Sequence, residues 1–367
     1  MEITSKRPPY QIYFVLLLSF WAFESNYAQK KIIPFNNPNI RYEGRIYFDE
    51  KAASLYWSGS NINLNFKGSE ISAILKDSDT SNYYNVILDD KLILKINLDT
   101  IKRSYLLASG LSKGKHRIQL FKRTEWSKGT TQFYGFETNE NSKLLAKSKP
   151  KKRKIEFYGN SITCGYGIED CTPKDSGTGH FENNYLSYAA LTAHHFDAQY
   201  SCIARSGIGI MISWSPEIMP EIYDLTNPQD NNSKWDFKKF TPDIVVINLF
   251  QNDSWLVVKP NHEQFKIRFG VHAPTADFII ASYENFVKSI RLKYPNAYII
   301  CVLGNMDITK EGSKWPSYVA KAVEKLNDHK IYTHFFKYKN TSGHPKVIEQ
   351  KEMADSLIDF INQTIKW

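Results

Sequence analysis

Hydrophobic and polar positions alternate in short runs between residues 40 and 140. Residues 44–48 (GRIYF), 53–58 (ASLYWS), 62–66 (INLNF), 71–75 (ISAIL), 84–88 (YNVIL) and 117–121 (RIQLF) all show it. Turn formers such as Lys67-Gly68-Ser69 and Asp89-Asp90-Lys91 separate them. Side chains on a strand point alternately to opposite faces, so this rhythm predicts a half-buried antiparallel sandwich. After residue 154 the rhythm changes. Runs at 155–159, 198–204 and 331–336 predict strands, and the mostly apolar runs 243–250 (DIVVINLF) and 297–304 (AYIICVLG) predict strands buried on both faces. Helical spacing over 185–196, 281–293, 317–327 and 346–363 alternates with them, which predicts a parallel sheet covered on both sides. The chain shows no internal repeat.

A length of 367 residues favours two domains over one. The pattern divides it into a leader (1–28), a β-sandwich domain (29–146), a basic linker (147–154, KSKPKKRK) and an α/β domain (155–367). The leader has the form of an export signal: Lys6 and Arg7 come first, then the apolar run 13–23, then a polar stretch ending at Ala28. That run is too short to span a bilayer comfortably, and no later segment is apolar enough to do so. No cysteine precedes Cys164, which argues against a lipid-modified N-terminal cysteine and for a secreted or periplasmic protein.

The net charge of +9 raises nucleic acids, anionic membranes and acidic polysaccharides as partners. Much of the local excess sits in the linker, where it reads as a solvated run, and an exported chain has no use for a nuclear address. No nucleic-acid partner is expected, and no membrane contact beyond the export signal. The four cysteines allow three pairings; Cys164–Cys171 would close a short loop, whereas Cys202 and Cys301 lie in apolar runs suited to buried thiols.

In open parallel sheets, sites form beyond the carboxyl ends of the strands. Four segments end there with suitable chemistry. Ser161 follows the strand ending at Gly159 and stands at a helix start, where the backbone favours negative charge. Gly207 lies in Ser206-Gly207-Ile208-Gly209, where a missing side chain lets an N–H approach a substrate oxygen. Asn252 follows the strand DIVVINLF and offers a neutral donor. His344, in Gly343-His344-Pro345, can take and return a proton. Each alone is as well explained by a cap or a turn. Asp253, beside Asn252, reads as a turn former bonded to nearby backbone. Adjacent His194 and His195 on one helix point to different faces and cannot chelate one ion, and no metal, redox or nucleotide motif occurs.

The four blocks in this order resemble the SGNH (GDSL-type) hydrolase superfamily. Over nearly the whole chain after the leader, IEFYGNSITCGYG, ENNYLSYAALTAHHFDAQYSCIARSGIGI, LFQNDSW, YPNAYIICVLGNM and GHPKV are similar to carbohydrate esterase family 2. The resemblance implies an N-terminal jelly-roll and a flavodoxin-like α/β/α hydrolase domain. It implies Ser161 as nucleophile, His344 as base, and Ser161 N–H, Gly207 N–H and Asn252 as oxyanion donors. It also suggests Trp255 and Tyr185 for the sugar-binding wall, no cofactor or metal, and an acetylated polysaccharide or oligosaccharide as partner. Asn160 and Phe250 replace the Asp and Gly usual at their positions, and Thr341 replaces the acid usual three residues before the histidine. The expectation is therefore a Ser–His dyad and a slower enzyme, with His344 oriented by a backbone carbonyl or a distant carboxylate. Two other readings stay open: an esterase or lipase for a non-carbohydrate acyl ester, and a catalytically impaired carbohydrate-binding protein. The oligomeric state is not legible in the sequence.

Overall fold

The computed structural model describes residues 30–367 and the isolated Glu2. The export signal expected at 1–28 therefore lies outside the described residues.

Two antiparallel sheets form the first half. One orders strands Ile46–Phe48, Ala53–Leu55, Thr131–Asn139, Ile71–Asp77 and Arg103–Ala108, with Lys30–Pro34 also on Thr131–Asn139. The other orders Lys143–Leu144, Asn61–Lys67, Lys115–Lys122, Tyr83–Leu88 and Lys91–Asn97, with Arg41–Glu43 on Asn61–Lys67. Alternate residues meet between the sheets: Ile62, Leu64, Phe66, Val86, Ile118 and Leu120 face Ile71, Ala73, Leu75, Phe133 and Phe136 in one core. The sequence pattern missed the strand at Lys91–Asn97 (KLILKIN), whose Leu92, Ile93 and Leu94 are all exposed at the sheet edge.

The second half is a five-stranded parallel sheet. Its order is Ala198–Ala204, Arg153–Gly159, Ile244–Asn248, Tyr298–Leu303 and Ile331–Phe335. The first of these in the chain takes in Arg153 and Lys154, which the charge pattern assigned to the linker. One face packs Tyr158, Ile247 and Ile299 under Ala276–Lys293 and Trp315–Leu326; the other packs Phe157, Val246 and Ile300 under Tyr188–His195 and Val347–Thr364. The result is an α/β/α sandwich following an antiparallel β-sandwich. The sheet reverses its winding direction at Arg153–Gly159, the place where ligand crevices open in such sheets.

The two halves share their cores. Phe121 and Ile87 of the sandwich join the layer beneath Tyr188–His195, while Trp57 and Trp126 join the opposite layer. Trp57 Nε1 donates to Thr226 O at 2.9 Å. Arg45 is fully buried: it donates to Tyr223 O at 2.6 Å and to Glu156 Oε1 at 3.2 Å, with both side chains sealed from water. Removing one partner of a buried pair strands the other charge. Arg45→Ala is expected to cost about 3 kcal/mol, at the low end of that range, because Tyr158, Tyr294 and Ser201 still donate to Glu156. Urea unfolding of the two proteins measures it; a loss under about 1 kcal/mol would show that the pair is not holding the halves together.

Candidate active site

Gly159, Ala204 and Asn248 lie on one rung across three adjacent parallel strands. Ser161, Gly207 and Asn252 follow that rung by two, three and four residues, so all three blocks emerge at the same sheet edge. The turn from strand to helix is tight. A Cβ on Gly159 would sit 2.0 Å from Thr163 Oγ1, so only glycine fits. Asn160, in place of the usual Asp, caps the short helix Ser161–Cys164 by accepting from Ile162 N at 3.0 Å. That capping bond uses only a side-chain oxygen, which Asn supplies as well as Asp does.

Gly207 has φ +79°, a conformation that glycine adopts without strain, and Trp214 packs against it. The Asn252 amide is fixed at both ends: Trp214 Nε1 donates to its Oδ1 at 3.1 Å, and its Nδ2 donates to Ile208 O at 2.8 Å. A primary amide carries two N–H bonds, so one remains for a substrate oxygen. Phe250, in place of the usual Gly, has φ +78° and is completely buried against Tyr283 and Trp315. Asp253 does what its neighbours suggested. Buried, it accepts from the N–H groups of Ile210, Met211 and Ile212 at 3.1, 2.7 and 3.2 Å, and desolvation pushes its pKa up to about 6.

His344 leaves the sheet after its last strand and reaches back to Ser161. Its Nε2 lies 2.9 Å from Ser161 Oγ. Of the two groups expected to orient His344, a backbone carbonyl or a distant carboxylate, the structure places the carboxylate of Asp175 there. His344 Nδ1 is 2.6 Å from Asp175 Oδ2, and the His344 backbone N–H donates to Asp175 Oδ1 at 3.0 Å. Lys346 Nζ adds a bond to the same Oδ1 at 2.8 Å. Burial opposes the Asp175 charge, but the bonds from His344 and Lys346 outweigh it and hold the carboxyl well below the usual carboxylate range. A Cβ on Gly343 would meet Asp175 Cγ at 2.9 Å, so the glycine before the histidine makes room for the acid. Asp175 itself has φ +50°, and Tyr166 packs its ring 4.4 Å from the imidazole.

A hydroxyl, an imidazole and a carboxylate in that chain can activate an oxygen nucleophile. Among the described residues, no cluster of three or more His, Cys, Asp or Glu side chains is spaced to hold a metal ion.

Residues 42–147 match the family model described as carbohydrate esterase 2 N-terminal. The acetylxylan esterase / glucomannan deacetylase of Cellvibrio japonicus is 33% identical over 84% of this chain and 84% of its own length. The chain belongs to carbohydrate esterase family 2. The cellulase/esterase CelE of Acetivibrio thermocellus is 37% identical over 90% of this chain, which spans 40% of the CelE length. A family two carbohydrate esterase from Clostridium thermocellum, solved in complex with cellohexaose, superposes with a TM-score of 0.79 at 35% identity. That likeness covers 88% of this chain and 98% of the other.

The two residues of this chain that were expected on a sugar wall line separate hollows. Tyr185 packs on Phe121 and His194 and lines a hollow of about 500 Å³ between the sandwich and the second half. Trp255 donates to Asp307 Oδ2 at 2.7 Å and lines a different hollow with Val258 and Trp315. Neither Ser161 nor His344 forms part of either wall. Besides Tyr166 against His344, the aromatic that touches the site is Trp214, 45% exposed and bonded to Asn252. It falls in a stretch without periodicity, and an exposed Trp beside a turn was the one available signal. Cys164 and Cys171 are free thiols, the first buried and the second exposed, so the loop bridge is absent; Cys202 and Cys301 are buried thiols as their apolar runs implied.

Proposed function

We propose that this chain is an exported acetyl esterase acting on acetylated plant-type polysaccharides or their oligosaccharides. The single observation that carries the reading is the unbroken chain of contacts from Ser161 Oγ through His344 to Asp175, at 2.9 and 2.6 Å. Ser161 Oγ attacks the acetyl carbonyl carbon while His344 Nε2 takes its proton. The tetrahedral oxyanion accepts from Ser161 N–H, Gly207 N–H and Asn252 Nδ2. On collapse, the sugar oxygen leaves with the proton from the imidazolium. Water then attacks the acetyl-serine by the same path, His344 again taking and returning the proton, and acetate is released.

Sugars are favoured over lipids by Trp214, a half-exposed aromatic with a polar rim, and by the relatives named for xylan and glucomannan. A binding-only relic has no need of an aligned serine, histidine and carboxylate. The polar-ended apolar run at residues 13–23 supports export to the periplasm or medium.

The test is acetate release from acetylated xylan and glucomannan, together with 4-nitrophenyl esters of rising chain length. Release from the polysaccharides is expected, with the acetyl ester turned over at least about tenfold faster than the octanoyl ester, the discrimination a small pocket gives. Equal or faster turnover of octanoate, without acetate from either glycan, would replace this reading with a lipid esterase.

A further inference from the structure

The turn of the sandwich after Lys115–Lys122 enters the second half beside the Gly207 block. Glu125, 2% exposed, places Oε2 at 2.5 Å from the backbone N–H of Ser206, the residue before Gly207. Its own N–H donates to Glu182 Oε1 at 2.5 Å, and Cys164 Sγ lies 3.6 Å from the same Oε2. The next residue, Trp126, holds the Arg205 guanidinium over its ring at 4.7 Å. Arg205 N in turn donates to Gly159 O at 3.3 Å, tying this turn to the strand that carries Ser161.

These contacts bracket Gly207. Ser206 N–H is held by Glu125, Gly207 O accepts from Trp214 N at 3.0 Å, and Ile208 O accepts from Asn252. A glycine at φ +79° has little steric restriction of its own, so its neighbours must set the direction of its N–H. Of those three contacts, the one from Glu125 is the one that the sandwich supplies. Glu182, which accepts from the Glu125 N–H, is itself buried, and burial, then the nearby Glu125, pushes its carboxyl well above the usual range.

We infer that Glu125 is a positioning residue for catalysis: through Ser206 N–H it aims the Gly207 N–H at the oxyanion, which makes the first half of the chain part of the catalytic apparatus. The inference rests on the proposed reaction and adds a residue to it. A donor misplaced by about 1 Å can cost on the order of a hundredfold in rate.

The experiment compares Glu125→Met, of similar volume but without an acceptor, and Glu125→Gln, which keeps one, in the full chain with 4-nitrophenyl acetate. Glu125→Met is expected to lose about tenfold to a hundredfold in kcat with KM within about twofold. Its affinity for phenylboronic acid, which forms a tetrahedral anion on a reactive serine, should fall by a similar factor. Glu125→Gln should restore both to within about threefold. Glu125→Ala carries the same comparison if Glu125→Met does not fold. Wild-type kcat in Glu125→Met, a loss matched by the unfolded fraction, or no recovery in Glu125→Gln would overturn the role. Ser161→Ala, run alongside, separates the failures: an active Ser161→Ala removes the underlying reaction, whereas an inactive one beside a fully active Glu125→Met removes only the clamp.

Discussion

Ser161→Ala is expected to lower kcat for 4-nitrophenyl acetate by about 10⁴-fold or more, since a triad without its nucleophile retains only binding and oxyanion stabilisation. The fold should survive. Ser161 is buried, and among the described residues the side-chain partner of its hydroxyl is His344 alone. The helix it starts is capped by Asn160, not by its own hydroxyl. Thermal unfolding should thus be nearly superimposable while activity disappears. Matching rates in the two proteins would place the chemistry elsewhere.

Asp175→Asn is expected to cost about 10²–10⁴-fold in kcat, toward the loss seen when a triad histidine is held in the wrong tautomer. The reason is specific to this site. Asp175 Oδ1 receives two donors, His344 N–H and Lys346 Nζ, whereas Oδ2 faces His344 Nδ1. An amide has one oxygen, and the two donors claim it. Its NH₂ must then point at Nδ1, which forces the ring proton onto Nε2, and a protonated Nε2 cannot accept from Ser161. A kcat within about threefold of wild type would mean that Ser161 and His344 suffice as a pair.

The same substitution has a signature in stability. The folded carboxyl of Asp175 lies below its unfolded value, so it stabilises the native state above the ordinary carboxylate range and loses that contribution as pH falls toward the folded value. The gap in Tm between wild type and Asp175→Asn should therefore be widest near about pH 7 and narrow toward about pH 3. A gap that stays constant would show that the charge contributes nothing to folding.

Much of this site lies in plain view along the chain. Ser161, Gly207, Asn252 and His344 each follow a strand whose apolar run is unmistakable, and a parallel sheet places carboxyl ends together. Asp175 has no such marker. It sits in the polar loop between the helix at Ser161–Cys164 and Tyr188–His195, and its partner is 169 residues away. Loops have no periodicity, and left-handed backbone at an Asp is not legible from composition. Helix boundaries drifted for a related reason. The helix expected over 185–196 is interrupted at Ser187, whose side chain caps a new helix by accepting from Ala190 N at 3.3 Å. The helix expected from 281 begins at Ala276, after its Thr275 cap.

The order of strands and helices, the change from sandwich to α/β architecture, and the four blocks at one sheet edge are set by local patterns. Burial selects side-chain periodicity within a few residues, and that record is written directly in the chain. Which carboxylate orients the histidine, which tryptophan faces the site, and that Glu125 reaches the Gly207 turn were decided only in three dimensions. Each is a contact between segments separated in sequence: His344 with Asp175 and Asn252 with Trp214 meet across loops of the second half, and Glu125 reaches Ser206 because the two halves close over shared cores. Hydrogen bonds act over about 3 Å whatever the chain separation, so no spacing along the sequence encodes them.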